Sequence, residues 1–226
     1  DMKALDSLKS IVTEPIIRIE QKYQPSRTIE SKHRFFAASN HEHFASISPD
    51  DRRFFFLRVS DCRQGDAAYF CTLCDSFSDG ATLEALVDRL LNLDLSNFSV
   101  RTRPKTQEHD RQKLMSLTKF DRYWQEVLIT GNIEGYDSGM TIWDEGIFMP
   151  AAKLKDRYTI FDPRANRYET VQQKYISDSI KKLCPSAITT RKMIANTQSR
   201  GFVLPDLATA RLEFEEYVGC TVQWDE

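Results

Sequence analysis

Ile16-Ile17-Arg18-Ile19-Glu20-Gln21-Lys22-Tyr23-Gln24-Pro25-Ser26-Arg27-Thr28-Ile29-Glu30 is the stretch that decides the fold, and its reading extends through His33-Arg34-Phe35-Phe36-Ala37-Ala38-Ser39-Asn40 to Pro49-Asp50-Asp51-Arg52-Arg53-Phe54-Phe55-Phe56. Two short alternating runs, around Arg18-Ile19 and Arg27-Thr28-Ile29, flank a polar tip that holds Lys22 and Pro25. Period-two alternation with a turn between predicts a β-hairpin. The apolar run 35–38 reads as a central buried strand that ends on Ser39-Asn40. Arg52-Arg53 then stands immediately before a second apolar run, 54–57. Working residues of open α/β sheets sit just past the strand ends, which puts Asn40 and the arginine pair where chemistry is done.

Upstream, Leu5, Leu8 and Val12 recur at helical spacing, and Pro15 separates that helix from the hairpin. Downstream, residues 66–78 read as a helix, Gly80 as an interruption, and 82–93 as an amphipathic helix with Leu83, Leu86, Val87, Leu90 and Leu91 in one stripe. The connector 97–105, with Arg101, Arg103, Pro104 and Lys105, is the expected domain boundary. Thr106 is placed as the cap of one long helix to Thr130 with Leu114, Leu117, Trp124, Val127 and Leu128 inward, ended by Gly131. Residues 132–146 read as loop. Pro150 opens a short helix, 151–158. Another helix spans 170–183, with Val171, Tyr175, Ile176, Ile180 and Leu183 on one face and Lys174, Lys181 and Lys182 on the other. Two short strands, 187–194 and 201–204, surround a polar turn at 196–200. A last helix runs from Pro205 to Val218, closed by Gly219. Helix, helix, hairpin, helix is the order of a winged-helix-like module. The expected domains are therefore an α/β part over 1–100 and a mostly helical, winged-helix-like part over 101–226.

Among 226 residues, 41% are hydrophobic and 28% charged, an ordinary globular balance, and the net charge of −2 supplies no basic field over the whole chain. Nucleic-acid binding must then rest on local patches. The five cysteines are odd in number and scattered; Cys71-Thr72-Leu73-Cys74 lacks a second pair or a histidine at zinc spacing, and its apolar surroundings read as two core thiols. No metal site is expected, since His33, His41, His43 and His109 form no ligand spacing. With no signal peptide and no apolar run of about 18 residues, an intracellular, reducing compartment is expected.

The order and spacing of several segments resemble the superfamily-3 helicases, the AAA+-type ATPases of phage and plasmid primase-helicases. The resemblance runs through Leu8-Lys9-Ser10-Ile11-Val12-Thr13-Glu14-Pro15, Ile17-Arg18-Ile19-Glu20-Gln21-Lys22, Ala38-Ser39-Asn40 and Asp51-Arg52-Arg53-Phe54. Tyr69-Phe70, Leu90-Leu91-Asn92-Leu93-Asp94, Arg101-Thr102-Arg103-Pro104-Lys105-Thr106, Gln112-Lys113 and Arg200-Gly201-Phe202-Val203-Leu204-Pro205 extend it. It implies an α/β remnant of a helicase core followed by the helical domain. It implies that the hairpin, with Lys22 at its tip and Arg18 and Arg27 on its strands, grips single-stranded DNA in a pore. By the same resemblance Asn40 matches the sensor that orients the attacking water, and Arg52 or Arg53 the arginine finger that acts on a neighbouring subunit of a ring, expected to be a hexamer. Phosphoryl transfer needs such positive charge and a positioned water, and arginine supplies a rigid fork.

No G-x-x-x-x-G-K-[ST] loop and no acidic magnesium pair occur in the sequence, so ATP and Mg belong to the expected parent protein, of which this is read as a C-terminal fragment without activity of its own. The expected setting is the bacterial cytoplasm, with a phage- or prophage-encoded hydrolase in DNA replication. Plainer readings stand beside each assignment. Lys22 is equally a solvated turn residue, Ser39-Asn40 a strand terminus, and one arginine of the pair an ion-pair partner of Asp50 or Asp51. Arg101, Arg103 and Lys105 form either a phosphate patch or a solvated linker. Lys174, Lys181 and Lys182 form either a duplex-reading face or an ordinary exposed one. Two rival functions remain: a DNA-docking or protein-interaction module of a replication initiator, and a stand-alone repressor-type DNA binder.

Overall fold

Alternating side chains can make a hairpin only if a turn lets the two runs pair, and the first runs of this chain do so. A computed structural model describes residues 2–99, 102, 104–133, 143, 146–163, 172–194 and 196–224, with side chains from residue 7 onward. β1 (Ile16–Ile19) and β2 (Arg27–Glu30) pair antiparallel, Ile17 opposite Ile29 and Arg18 opposite Thr28. Helix α1 (Met2–Thr13) precedes them. Ser31 N–H donates to the Pro15 carbonyl at 2.8 Å and closes the base of the hairpin.

The protein is mixed α/β, with eight helices and two small sheets among the described residues. The chain divides into two units, one made of Asp1–Arg53 with Asp110–Glu226 and the other of Phe54–His109. The first 53 residues thus pack with the C-terminal half, and the second unit ends just past the connector at 97–105. Arg101 and Arg103 lie outside the described residues, while Lys105 is exposed.

In the second unit, α2 (Ala67–Ser78) begins at Asp66, whose carboxylate accepts from Tyr69 N–H at 3.0 Å. Asp79 caps α3 (Gly80–Leu91) by accepting from Ala81 N–H at 3.3 Å. The break expected at Gly80 therefore falls one residue earlier, and Gly80 is helical. Neither helix buries a residue. The stripe of Leu83, Leu86, Val87, Leu90 and Leu91 is exposed, and so are Cys71 and Cys74, which corrects the expectation of core thiols. An amphipathic period reports which face is apolar, and burial needs a partner surface as well.

The apolar run 35–38 is not a strand: it has no regular structure, and Phe36 is 99% exposed. A strand exists through the ladder of a neighbour, and among the described residues no segment pairs with this one.

The first unit carries the core. Residues 106–130 form two helices, α4 (Gln107–Met115) and α5 (Lys119–Thr130), where one was expected. Ser116 hydroxyl donates back to the Gln112 carbonyl at 2.7 Å and accepts Ile47 N–H at 3.0 Å. Thr118 and Asp121 then form a capping box that restarts the helix. Gly131, at φ 61°, ends α5, and Arg211 donates to the Leu128 and Ile129 carbonyls at 3.0 and 3.2 Å.

β3 (Phe148–Pro150), absent from the sequence reading, leads directly into α6 (Ala151–Phe161). α7 (Gln173–Leu183) buries Ile176, Ile180 and Leu183, while Tyr175 is 44% exposed. Thr170 and Val171 lie outside the described residues. β4 (Ile188–Ile194) and β5 (Thr197–Val203) are seven residues each and meet at a tighter turn than expected, with Asn196 at φ 63°. The strand order is β3-β5-β4, all antiparallel. α8 (Leu207–Val218) starts on Asp206, which accepts from Thr209 N–H at 2.9 Å, and stops at Gly219.

Helices α5 to α8 and this sheet enclose Phe120, Trp124, Leu128, Trp143, Met149, Leu154, Ile176, Ile180, Phe202 and Phe214, each 1% exposed or less. Lys113, in the same unit, donates to the Val218 and Gly219 carbonyls at 3.0 and 3.3 Å, closing the C-terminal end of α8. No helix among the described residues is long and apolar enough to cross a membrane.

Candidate nucleic-acid interface

Residues 20–26 join β1 to β2, and every side chain of the bend 21–26 is exposed. Gln24 N–H donates to the Gln21 carbonyl at 3.1 Å, so Lys22 and Tyr23 are the central residues of a tight turn. Tyr23 has φ 66°, the positive value that the third position of a type II turn demands and that glycine usually supplies. Left-handed backbone costs a residue with a Cβ roughly 1–2 kcal/mol. That cost is met here by a residue that stands 92% exposed. Lys22 Nζ lies 4.9 Å from the Tyr23 ring centroid. The tip is therefore an ammonium beside an aromatic face, held clear of the core.

The strands below add charge. Arg18 and Arg27 are exposed and stand opposite Thr28 and Ile19. Arg18 pairs with Glu20 at 3.0 Å with both side chains about two-thirds exposed (67% and 68%), a contact that solvent screens to little net worth. Tyr23 is the residue that the sequence reading passes over. Nothing in its spacing marks it, because the signal is a backbone angle.

Asn40 is exposed in a bend that follows the unpaired run 35–38, so it does not end a strand. The Ser39 hydroxyl accepts from His41 N–H at 3.0 Å, a local turn bond. Arg52 and Arg53 are both exposed. Arg53 Nε donates to Thr13 Oγ1 at 3.3 Å, and its backbone N–H donates to the buried Asp51 carboxylate at 3.3 Å. A hydrogen bond from Ser48 holds the Asp50 carboxyl below its ordinary range, helped by its own backbone N–H and, to a smaller extent, by the charge of Arg53. Arg52 makes no hydrogen bond or ion pair among the described residues. It is thus the less engaged of the two. No hydrogen bond joins Asn40 to either arginine among the described residues.

On α7, Lys174 and Lys181 are exposed. Lys182 is committed elsewhere: its Nζ sits 4.6 Å from the Tyr217 ring centroid, and Tyr217 hydroxyl donates to Asp121 at 3.4 Å. Burial pulls the Lys182 ammonium down, but the Tyr217 hydroxyl and the charge of Asp121 outweigh it and leave the group raised. Of the thiols, Cys184 is buried, and burial, reinforced by Glu213, pushes it up to about 12. It is no nucleophile near neutrality. A shallow cleft of about 350 Å³ is lined by His43, Arg111, Leu114, Met115, Arg122 and Gln125 and contains neither Asn40 nor Arg52 or Arg53. Arg111 is paired there with Glu42 at 3.1 Å.

Residues 1–53 match the model of a family of unknown function (DUF5906). The matched stretch holds α1, the β1–β2 hairpin, Asn40 and the Arg52-Arg53 pair. No curated protein and no solved structure matches the chain.

Proposed function

We propose that this chain is the C-terminal part of a superfamily-3, AAA+-type DNA helicase, in which the β1–β2 hairpin contacts single-stranded DNA. The observation that carries the reading is the turn at Lys22-Tyr23, a cation and an aromatic ring side by side on an exposed tip. Binders of single strands combine backbone-tracking positive charge with rings on which bases stack. Arg18 and Arg27 continue the positive charge down the hairpin. The parent couples ATP hydrolysis, with Mg, to movement along the strand during phage or plasmid replication in the bacterial cytoplasm. It works as a ring in which Asn40 orients water and Arg52 or Arg53 reaches the neighbouring subunit's nucleotide. Residues 1–100 belong to the motor. Residues 101–226 form the winged-helix-like domain, for which the α6–α7–β4–β5–α8 order is the support, with Lys174 and Lys181 on its outer helix face.

Anisotropy titrations with a short oligothymidylate test the hairpin. Lys22→Ala lowers the salt slope of binding by about 0.7, the share of one phosphate contact on a single strand. Tyr23→Ala weakens binding by about 1–3 kcal/mol, the share of one stacked base. Wild-type affinity in both variants would refute the reading.

The 226 residues hold no phosphate loop, so calorimetric titration of this chain with ATP is expected to show no saturable micromolar binding. Saturable binding would contradict its place as the part of the motor without the nucleotide cradle. The rival reading is a non-enzymatic DNA-docking or protein-interaction module of a replication initiator, in which the motor-like half serves only as scaffold. A phosphate loop upstream in the reading frame separates the two.

A further inference from the structure

Neither α2 nor α3 buries a residue, and the charge around them is almost wholly negative. Eleven large apolar side chains between Tyr69 and Phe98 are exposed. On α3 they recur at 83, 86, 87 and 90, which makes them one continuous stripe. Leu90 and Leu91 are 60% and 80% exposed. A large side chain of this kind covers about 150–250 Å² when buried, so eleven of them standing roughly half open leave on the order of 1,000 Å² of apolar surface. Monomers rarely leave more than a few hundred Å² open, and one partner gives about 800 Å² to a standard protein interface.

Residues 66–98 hold six acids, Asp66, Asp75, Asp79, Glu84, Asp88 and Asp94, against one base, Arg89, whereas the whole chain, with 33 acids and 31 bases, is close to neutral. Asp66 is offset by Arg63 at 2.9 Å; the other five acids stand exposed. Glu84 and Asp88 lie one turn apart and border the stripe on α3. That sign selects the occupant. Nucleic acid and anionic lipid are repelled, and so is the same acidic face of a second copy. We propose that the α2–α3 face docks a basic amphipathic helix of a partner protein. Apolar anchors of that helix lie on the stripe, and its lysines or arginines meet Glu84, Asp88 and the acids around them. The stripe from Leu83 to Leu91 is about 12 Å long at 1.5 Å per residue, enough to seat about two turns of a partner helix. Helices dock in this way through anchors spaced three and four residues apart. The inference goes beyond the helicase reading and does not depend on the β1–β2 hairpin.

The test titrates the full chain into a fluorescent Lys–Leu peptide whose leucines recur at helical spacing. A Glu–Leu peptide of the same spacing and a scrambled Lys–Leu peptide serve as controls. The wild type binds the Lys–Leu helix saturably, and about tenfold or more tighter than either control. Leu90→Gln with Leu91→Gln weakens binding about tenfold, because anchors at the centre of an interface carry most of its energy. Glu84→Gln with Asp88→Asn weakens it about three- to tenfold and flattens its salt dependence. The charge variant leaves the stripe whole, so it tests the proposal even if the leucine variant loses structure. No saturable binding of the Lys–Leu peptide overturns the proposal, as does unchanged affinity in the charge variant. Equal affinity for the Glu–Leu or the scrambled peptide would show an indiscriminate apolar face and overturns it too. Dimerisation of the wild type that the leucine variant abolishes would put a second copy on the face; binding to phosphatidylcholine vesicles that the same variant abolishes would put a membrane there. Either result overturns the proposal. Lys22 and Tyr23 are intact throughout, so failure here leaves the reading of the β1–β2 hairpin untouched.

Discussion

Alanine at Gly201 will break the sheet of the first unit. Gly201 stands on the central strand β5, between Pro150 of β3 and Thr190 of β4. A Cβ built there would lie 2.3 Å from the Met149 carbonyl oxygen and 2.8 Å from Pro150 Cα. Both are backbone atoms, so no rotamer change relieves the overlap. β3 must move, and α6 starts at the residue after Pro150, so the helix is pulled with it. Met149 and Phe202, paired across this ladder and each 1% exposed, lose their packing together. Strain of this kind stands at the upper end of single-substitution effects, about 4–5 kcal/mol or more. Urea unfolding followed by near-ultraviolet circular dichroism measures it. A Gly201→Ala protein with a wild-type midpoint would mean that β3 does not lie against Gly201.

The second large effect is at Trp124. This side chain is fully buried on α5, 5.7 Å between ring centroids from Trp143, and its indole N–H has no hydrogen-bond partner among the described residues. Truncation to alanine removes a large apolar surface and leaves a void that rigid neighbours cannot fill; the expected cost is about 3–5 kcal/mol. Phenylalanine at the same site keeps most of the apolar volume and deletes the orphaned donor, whose burial by itself costs about 1–3 kcal/mol. Trp124→Phe is therefore expected to be much milder than Trp124→Ala. Chemical denaturation of the two variants checks the order. Equal losses would argue that the indole N–H is satisfied after all, and a small loss for alanine that the core is elsewhere.

The C-terminal helices were legible because period and punctuation agree there. Ile176, Ile180 and Leu183 recur at helical spacing and are buried, and Gly131 and Gly219 stop α5 and α8 in the left-handed conformation that favours glycine. The first hairpin was legible for the same kind of reason, alternation on both sides of a polar tip. Reading residues 106–130 as one helix failed because the apolar period runs on through Ser116 and Thr118. The break is made by hydroxyl bonds to Gln112 and to Ile47, and the second partner is remote in the chain. The run 35–38 failed for the opposite reason. Its composition suits a strand, yet pairing is a property of two segments.

The candidate site divides the same way. That Lys22 would stand on a turn followed from the residues around it. That Tyr23 beside it holds a left-handed backbone angle and a bare ring did not, since propensity disfavours that angle for tyrosine. Asn40 was placed by the expected strand, and without that strand it occupies a loop.

Taken alone, the amino-acid order settled which segments are helical, where most of them stop, and that a charged turn follows the first strand, because those properties depend on residues within a few positions of one another. The tertiary arrangement decided what is buried and that residues 1–53 pack with the C-terminal half. Those depend on contacts between segments whose separation along the chain leaves no local trace.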